Sequence, residues 1–123
     1  MKRKVNNMNT YGYMVFDTET ALNDWEVGFG LDKGYNEKEG CFEIEAIVLN
    51  DKRTYEPRPK KDGTTFTPSS NDLEKFIVRV HEQPKDFKKF EKISLVDIYD
   101  SYLIGVKTYS PTPVISCEKI IKA

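Results

Sequence analysis

Apolar and polar side chains alternate most clearly over Cys41–Asn50, where Phe42, Ile44, Ala46 and Val48 interleave with Cys41, Glu43, Glu45 and Ile47. A period of two with one apolar face predicts a strand. Lys75–His81 repeats the pattern, with Phe76, Val78 and Val80 on one face, and Lys92–Ile98 sets Ile93 and Leu95 against Ser94 and Val96. Tyr102–Tyr109 and Val114–Ile121 read as further strands, with Gly105 a bend and Pro111 and Pro113 breaks between them. Tyr13–Phe16 is a short β-prone run. Asn50-Asp51-Lys52 reads as a turn into a returning strand at Arg53-Thr54-Tyr55. Residues 18–40, with four glycines, read as an irregular excursion with a strand at Trp25–Phe29. Residues 57–71 form a polar loop, and Gln83–Glu91 is a loop or a single helical turn after Pro84.

Five to seven short strands with little helix predict a mainly β domain. The expected fold is a small antiparallel barrel or sandwich, with an OB-like five-stranded barrel favoured and at most one or two short helices. The expected core is Phe42, Ile44, Val48, Phe76, Val78, Val80, Ile93, Leu95 and Ile104. The 123 residues supply one core, so residues 1–123 form a single domain, with 1–9 a flexible basic arm. Seven Phe, seven Tyr and one Trp are too many aromatics for a disordered chain.

No apolar run approaches the ~20 residues of a membrane span, and no apolar segment follows the basic start. The expectation is a cytoplasmic protein that does not engage a membrane. Cys41 and Cys117 lie far apart and read as reduced thiols, with a single bridge left open. The lone histidine, His81, excludes a multi-histidine metal site. No metal or cofactor is expected: no P-loop occurs, and Gly28-x-Gly30 lacks a strand–helix context.

Charge is balanced at −1 but unevenly spread. Residues 1–50 hold five basic and nine acidic side chains; residues 51–123 hold fourteen and eleven. The basic groups cluster at Lys52, Arg53, Arg58, Lys60 and Lys61, and again at Lys85, Lys88, Lys89 and Lys92. Coating of nucleic acid by bulk charge is excluded; a local basic groove is not.

One segment suggests catalysis. Phe16-Asp17-Thr18-Glu19-Thr20 resembles the first motif of DEDD-type 3′–5′ exonucleases, an apolar strand ending in D-x-E that holds divalent ions. His81 and Asp86 have the spacing of that fold's last motif. A third acidic motif between Glu19 and His81 is missing, and Pro84 interrupts the helix the last motif needs. The reading is therefore non-enzymatic, with no catalytic residue assigned. Tyr55 between Arg53 and Arg58 is the better signal. Single-strand binders combine a basic groove with exposed aromatics, because every base offers a π-face. Arg53, Arg58, Lys60, Lys61, Lys75 and Arg79 are the candidate phosphate contacts, and Tyr55 and Tyr102 the candidate stacking residues.

Thr10-Tyr11-Gly12-Tyr13-Met14-Val15-Phe16 resembles the T-[FY]-G-x-L-x-F opening of a family of small proteins from Gram-positive integrative conjugative elements. Arg53-Thr54-Tyr55 resembles that family's central R-T-Y. Phe76–Val80, Lys88/Lys89-Phe90 and Ile93-x-Leu95-x-Asp97 resemble its V-x-V … K-x-F … V-x-L-x-[ND] stretch, and Ile115-x-Cys117-Glu118-Lys119-Ile120 its terminal I-K-A-[DE]-[DK]-I. The pieces keep the family's order. Residues 17–41 and 56–72 do not match, and Cys117 stands where the family usually has Ala. The family includes a helicase processivity factor that helps a host helicase unwind element DNA. The resemblance implies an accessory protein for DNA processing in a mobile element, with single-stranded DNA or a helicase as partner. The alternative is a small phage or mobile-element inhibitor of a host defence nuclease, anti-CRISPR-like, that would set Asp17, Glu19, Asp24, Glu26, Asp32, Glu37 and Glu39 against a basic nucleic-acid channel.

Overall fold

The computed structural model describes residues 16–67, 70–105 and 111–123. The arm at 1–9, the run from Tyr13 as far as Val15, Pro68 and Ser69 of the polar loop, and residues 106–109 of the strand expected to end at Tyr109 lie outside the described residues. So does Thr10–Val15 of the conjugative-element resemblance.

Among the described residues one short helix precedes seven strands: α1 (Thr18–Asp24), β1 (Trp25–Asn36), β2 (Cys41–Asp51), β3 (Arg58–Pro59), β4 (Thr65–Phe66), β5 (Lys75–Val80), β6 (Ile93–Ile104) and β7 (Thr112–Lys122). Five strands form one sheet in the order β1-β2-β5-β7-β6, while β3 and β4 make a small separate hairpin. The pairs β1–β2, β2–β5 and β6–β7 are antiparallel; β5–β7 is parallel.

The expected mainly β fold with little helix is present, but two finer expectations are corrected. The sheet is mixed rather than antiparallel, and it does not close into a barrel, OB-like or otherwise. The strand order follows from burial. β7 buries four consecutive residues, Val114, Ile115, Ser116 and Cys117, so both of its faces are covered. Such a strand belongs inside a sheet, with neighbours on both sides. β6 exposes Asp97, Ile98, Tyr99 and Asp100 in succession and takes the edge. The β6–β7 hairpin therefore inserts its second strand beside β5, and β7 runs parallel to it.

The other edge is β1. Closure would require β1 and β6 to pair along their lengths. A single bridge, Gly28 to Lys92, forms just before β6, with Phe29 N donating to Glu91 O at 2.8 Å and Phe90 N to Phe29 O at 2.7 Å. Past Phe29, β1 has register shifts at Phe29/Leu31 and Asp32/Gly34, and β6 has one at Ile98/Asp100. Irregularities of this kind bend and twist an edge away from a partner.

The core lies on one face of the sheet. Val27, Phe29, Ile44, Ala46, Val48, Phe76, Val78, Val80, Ile93, Ile115, Cys117 and Ile120 form it, with Phe16, Leu22, Trp25, Phe87 and Leu95 packed against them. Register explains the set: Val27 pairs with Val48, Ala46 with Phe76, Ile44 with Val78, and Val78 with Ile115. Phe42 and Leu95 are half-buried, and Ile104 is exposed at the edge, outside the core assigned to it.

Three local expectations also change. Residues 18–36 are α1 and a twelve-residue β1, not an irregular excursion. Gly28 and Gly30 belong to that strand because β2 leans over it. A Cβ at Gly30 would lie 2.5 Å from Glu45 O, and one at Gly28 would lie 2.7 Å from the Leu49 side chain. Arg53–Tyr55 is not a returning strand: β2 runs on through Asp51 and pairs with β5 instead. Finally, Lys92–Ile98 and the start of the Tyr102 run are one strand, β6, that ends before Gly105, where φ is +70°.

Candidate nucleic-acid interface

β2 ends on Asp51, a carboxylate that is 8% exposed. It accepts hydrogen bonds from Arg53 N at 3.1 Å, from Asn71 N at 2.9 Å and from the Tyr55 hydroxyl. Asn71 Nδ2 donates to Tyr55 Oη at 3.0 Å, and Asp51 N donates to Asp72 Oδ1 at 2.6 Å. These bonds tie both ends of the 52–71 excursion to the strand end. A buried carboxylate is tolerated because its oxygens are satisfied. Burial pushes the Asp51 carboxyl up, but the bonds from Tyr55, Asn71 and Arg53 outweigh it and leave the group below its ordinary value. Burial, then the bond to Asp51, pushes the Tyr55 phenol up to about 12.

The Tyr55 ring is thereby fixed at its hydroxyl end, and the Arg53 guanidinium lies over it, 5.5 Å from the centroid. Both border a groove of about 640 Å³ between the excursion and α1, walled also by Phe16, Asp24, Trp25 and Asn71. Asp17 caps α1, accepting from Thr20 N at 3.2 Å and Thr20 Oγ1 at 2.8 Å, and these bonds hold its carboxyl below the ordinary value. Trp25 packs on Phe16 and Phe76, with centroids at 5.8 and 5.6 Å. The groove thus offers the aromatic rings of Phe16, Trp25 and Tyr55, one cation, Arg53, and two aspartates, Asp17 and Asp24, whose carboxylates can accept hydrogen bonds from amino groups such as those on bases.

The candidate cations fall into two groups. Lys52, Arg53 and Lys61 are exposed and, among the described residues, have no acidic partner within 4 Å. Lys60 and the backbone of Arg58 belong to the same excursion, on and next to β3. Lys75 and Arg79 lie elsewhere, on β5 and on the sheet face opposite the core. Lys75 pairs with Glu45 at 3.4 Å. Arg79 lies 3.4 Å from Glu43 and 3.5 Å from Glu39, and donates to Tyr102 Oη at 2.6 Å. Burial works against the Arg79 charge, but Tyr102, Glu39 and Glu43 outweigh it and raise the group above its ordinary value. Its Nε is buried and faces Glu43 without hydrogen-bond geometry. The structure therefore joins Arg53 with Tyr55, and joins Arg79 with Tyr102, but does not join the two pairs.

The seven acidic candidates separate in the same way. Asp17, Glu19 and Asp24 belong to α1 and its ends, whereas Asp32, Glu37 and Glu39 lie toward the far end of β1 and its following turn. Glu26 pairs with Lys92 at 3.6 Å, and Asp32 accepts from Gly34 N at 2.8 Å. Asp17 caps α1, and Glu19 lies in its first turn. Among the described residues no three His, Cys, Asp or Glu side chains converge on a metal-sized site. Cys41 and Cys117 are both free and buried.

Asp51, Asn71 and Trp25 were not legible as site residues in the sequence. The only signal was Asp51 four residues before Tyr55; the reach of Asn71 across twenty residues to Asp51 needs the fold. Comparison with family models, curated proteins and solved structures finds no match for this chain.

Proposed function

We propose that the protein is a non-catalytic accessory factor that binds single-stranded DNA in the groove between α1 and the 52–71 excursion. The observation that carries this reading is the Arg53–Tyr55 pair. The ring is held by Asp51 and Asn71, borders a groove walled by Trp25, and carries over it the Arg53 guanidinium, which has no acidic partner within 4 Å among the described residues. A fixed ring loses little entropy on stacking, and base–aromatic stacking contributes about 1–3 kcal/mol per base. The resemblance to accessory proteins of conjugative elements supports the same role, DNA processing in a mobile element, in which a helicase would be the protein partner.

The test is a fluorescence-anisotropy titration with labelled single-stranded DNA over a range of salt. Three to five phosphate contacts give a log–log slope of about −2 to −3.5. Arg53→Glu with Lys61→Glu should flatten that slope and weaken binding to all sequences alike. Absence of binding at ~50 mM salt, where phosphate contacts are strong, would overturn the DNA reading. Binding to a helicase or a defence nuclease would then be the function to assay.

A further inference from the structure

A second groove, of about 330 Å³, has Leu22, Trp25, Glu26, Lys52, Lys92 and Leu95 among its lining residues. Trp25 belongs to both grooves. Lys52 N donates to Asp24 O at 2.8 Å, and Lys92 Nζ lies 3.6 Å from Glu26. Three consecutive residues, Asp24 to Glu26, thus connect the two basic segments of the chain.

Beyond Lys92 lies the lysine-rich loop. Backbone bonds between Phe29 and residues 90 and 91 hold it against β1. Lys85, Lys88 and Lys89 are exposed and, among the described residues, have no acidic partner within 4 Å. Phe90 is 53% exposed, and Lys89 Nζ lies 5.3 Å from its ring centroid. Its φ is +70°, an uncommon conformation for a bulky residue. An exposed ring beside lysines that have no acidic partner among the described residues repeats the chemistry of Arg53 and Tyr55, two residues before Lys92 of the second groove.

We propose that a bound single strand runs from the first groove over Trp25 and through the second groove to Lys88–Phe90, which forms the other half of one site. This rests on the function proposed above. An acidic peptide would satisfy the lysines but would make no use of the Trp25 and Phe90 rings; a nucleic-acid strand uses both.

Oligothymidylates of about 4 and about 16 nucleotides bracket the footprints of small single-strand binders. With the long strand, Lys88→Glu with Lys89→Glu should weaken binding about tenfold and reduce the salt slope by about 1.4, two phosphates at about 0.7 each. The short strand should be unaffected, while Arg53→Glu should weaken both. Phe90→Ala should weaken only the long strand and leave its slope unchanged, because stacking displaces no counterions. If the lysine pair leaves the long strand unaffected while Arg53→Glu weakens both, the strand ends at the first groove and this inference fails alone. If the unaltered protein binds neither strand, the underlying reading fails with it, and binding of polyglutamate instead would assign the surface to an acidic peptide.

Discussion

Burial pushes both Asp51 and Tyr55 up, and the hydrogen bond between them moves them in opposite directions: the Asp51 carboxyl lies below its ordinary value and the Tyr55 phenol above. The phenol titrates above its unfolded value of 10.0, at about 12. Its neutral form is the one the fold favours, so its contribution is fully present below pH 10.0 and is lost as pH rises toward about 12. Thermal melts across that window should show the melting temperature falling, and Tyr55→Phe should remove the part due to this group. The same change deletes a hydrogen bond to a charged group, a loss of about 1.5–3 kcal/mol. It keeps the ring, so DNA binding should survive Tyr55→Phe and weaken in Tyr55→Ala. Asp51 responds at the acid end: its depressed carboxyl stabilises the fold above the unfolded pKa, and that contribution is lost as pH falls through the folded value. The sequence carried the residue types of this site but not their partners. Lys75 and Arg79 look as available as Arg53 when read along the chain. Only the β2–β5 register, which sets Glu43 opposite Arg79, shows that they are engaged.

At the scale of elements, strands with a clean period of two were legible and those without it were not. β2 and β5 stand out because every second residue faces the core. β1 was legible only over its first five residues, since its outer half mixes glycine with charge and faces solvent. α1 has seven residues, too few to be stable by propensity alone; it forms because Ala21 is buried and Leu22 packs on the core. Gly28 and Gly30 of β1 are there for packing. Gly30→Ala places a methyl group 2.5 Å from a backbone oxygen that cannot rotate away. It should destabilise by about 1–3 kcal/mol, the usual cost of overpacking, measured by denaturant unfolding. A change below about 0.5 kcal/mol, within the range of neutral surface substitutions, would show that β1 shifts off β2 without penalty.

At the scale of the whole molecule, the sheet was legible as to class but not as to order. Composition and strand count gave no sign that the last strand enters between two earlier ones; that followed from comparing the burial of β6 with that of β7. Cys117 sits in this inserted strand, 0% exposed, with burial pushing its thiol up to about 12. Its reaction with a thiol reagent should therefore require opening of the sheet and slow in step with increasing stability. Fast labelling of Cys117 in the native protein would mean that β7 detaches on its own.

The insertion of β7 also has a consequence for biosynthesis. A ribosome delivers residues in order, and at the moment β6 emerges the chain holds β5 with one side bare and β6 with nothing to pair against. Neither gap is filled until residues 112–122 are free of the exit tunnel. Until then the nascent chain presents apolar Phe76, Val78 and Val80 on an unprotected strand, the kind of segment that chaperones capture and that pairs wrongly with its neighbours on a polysome.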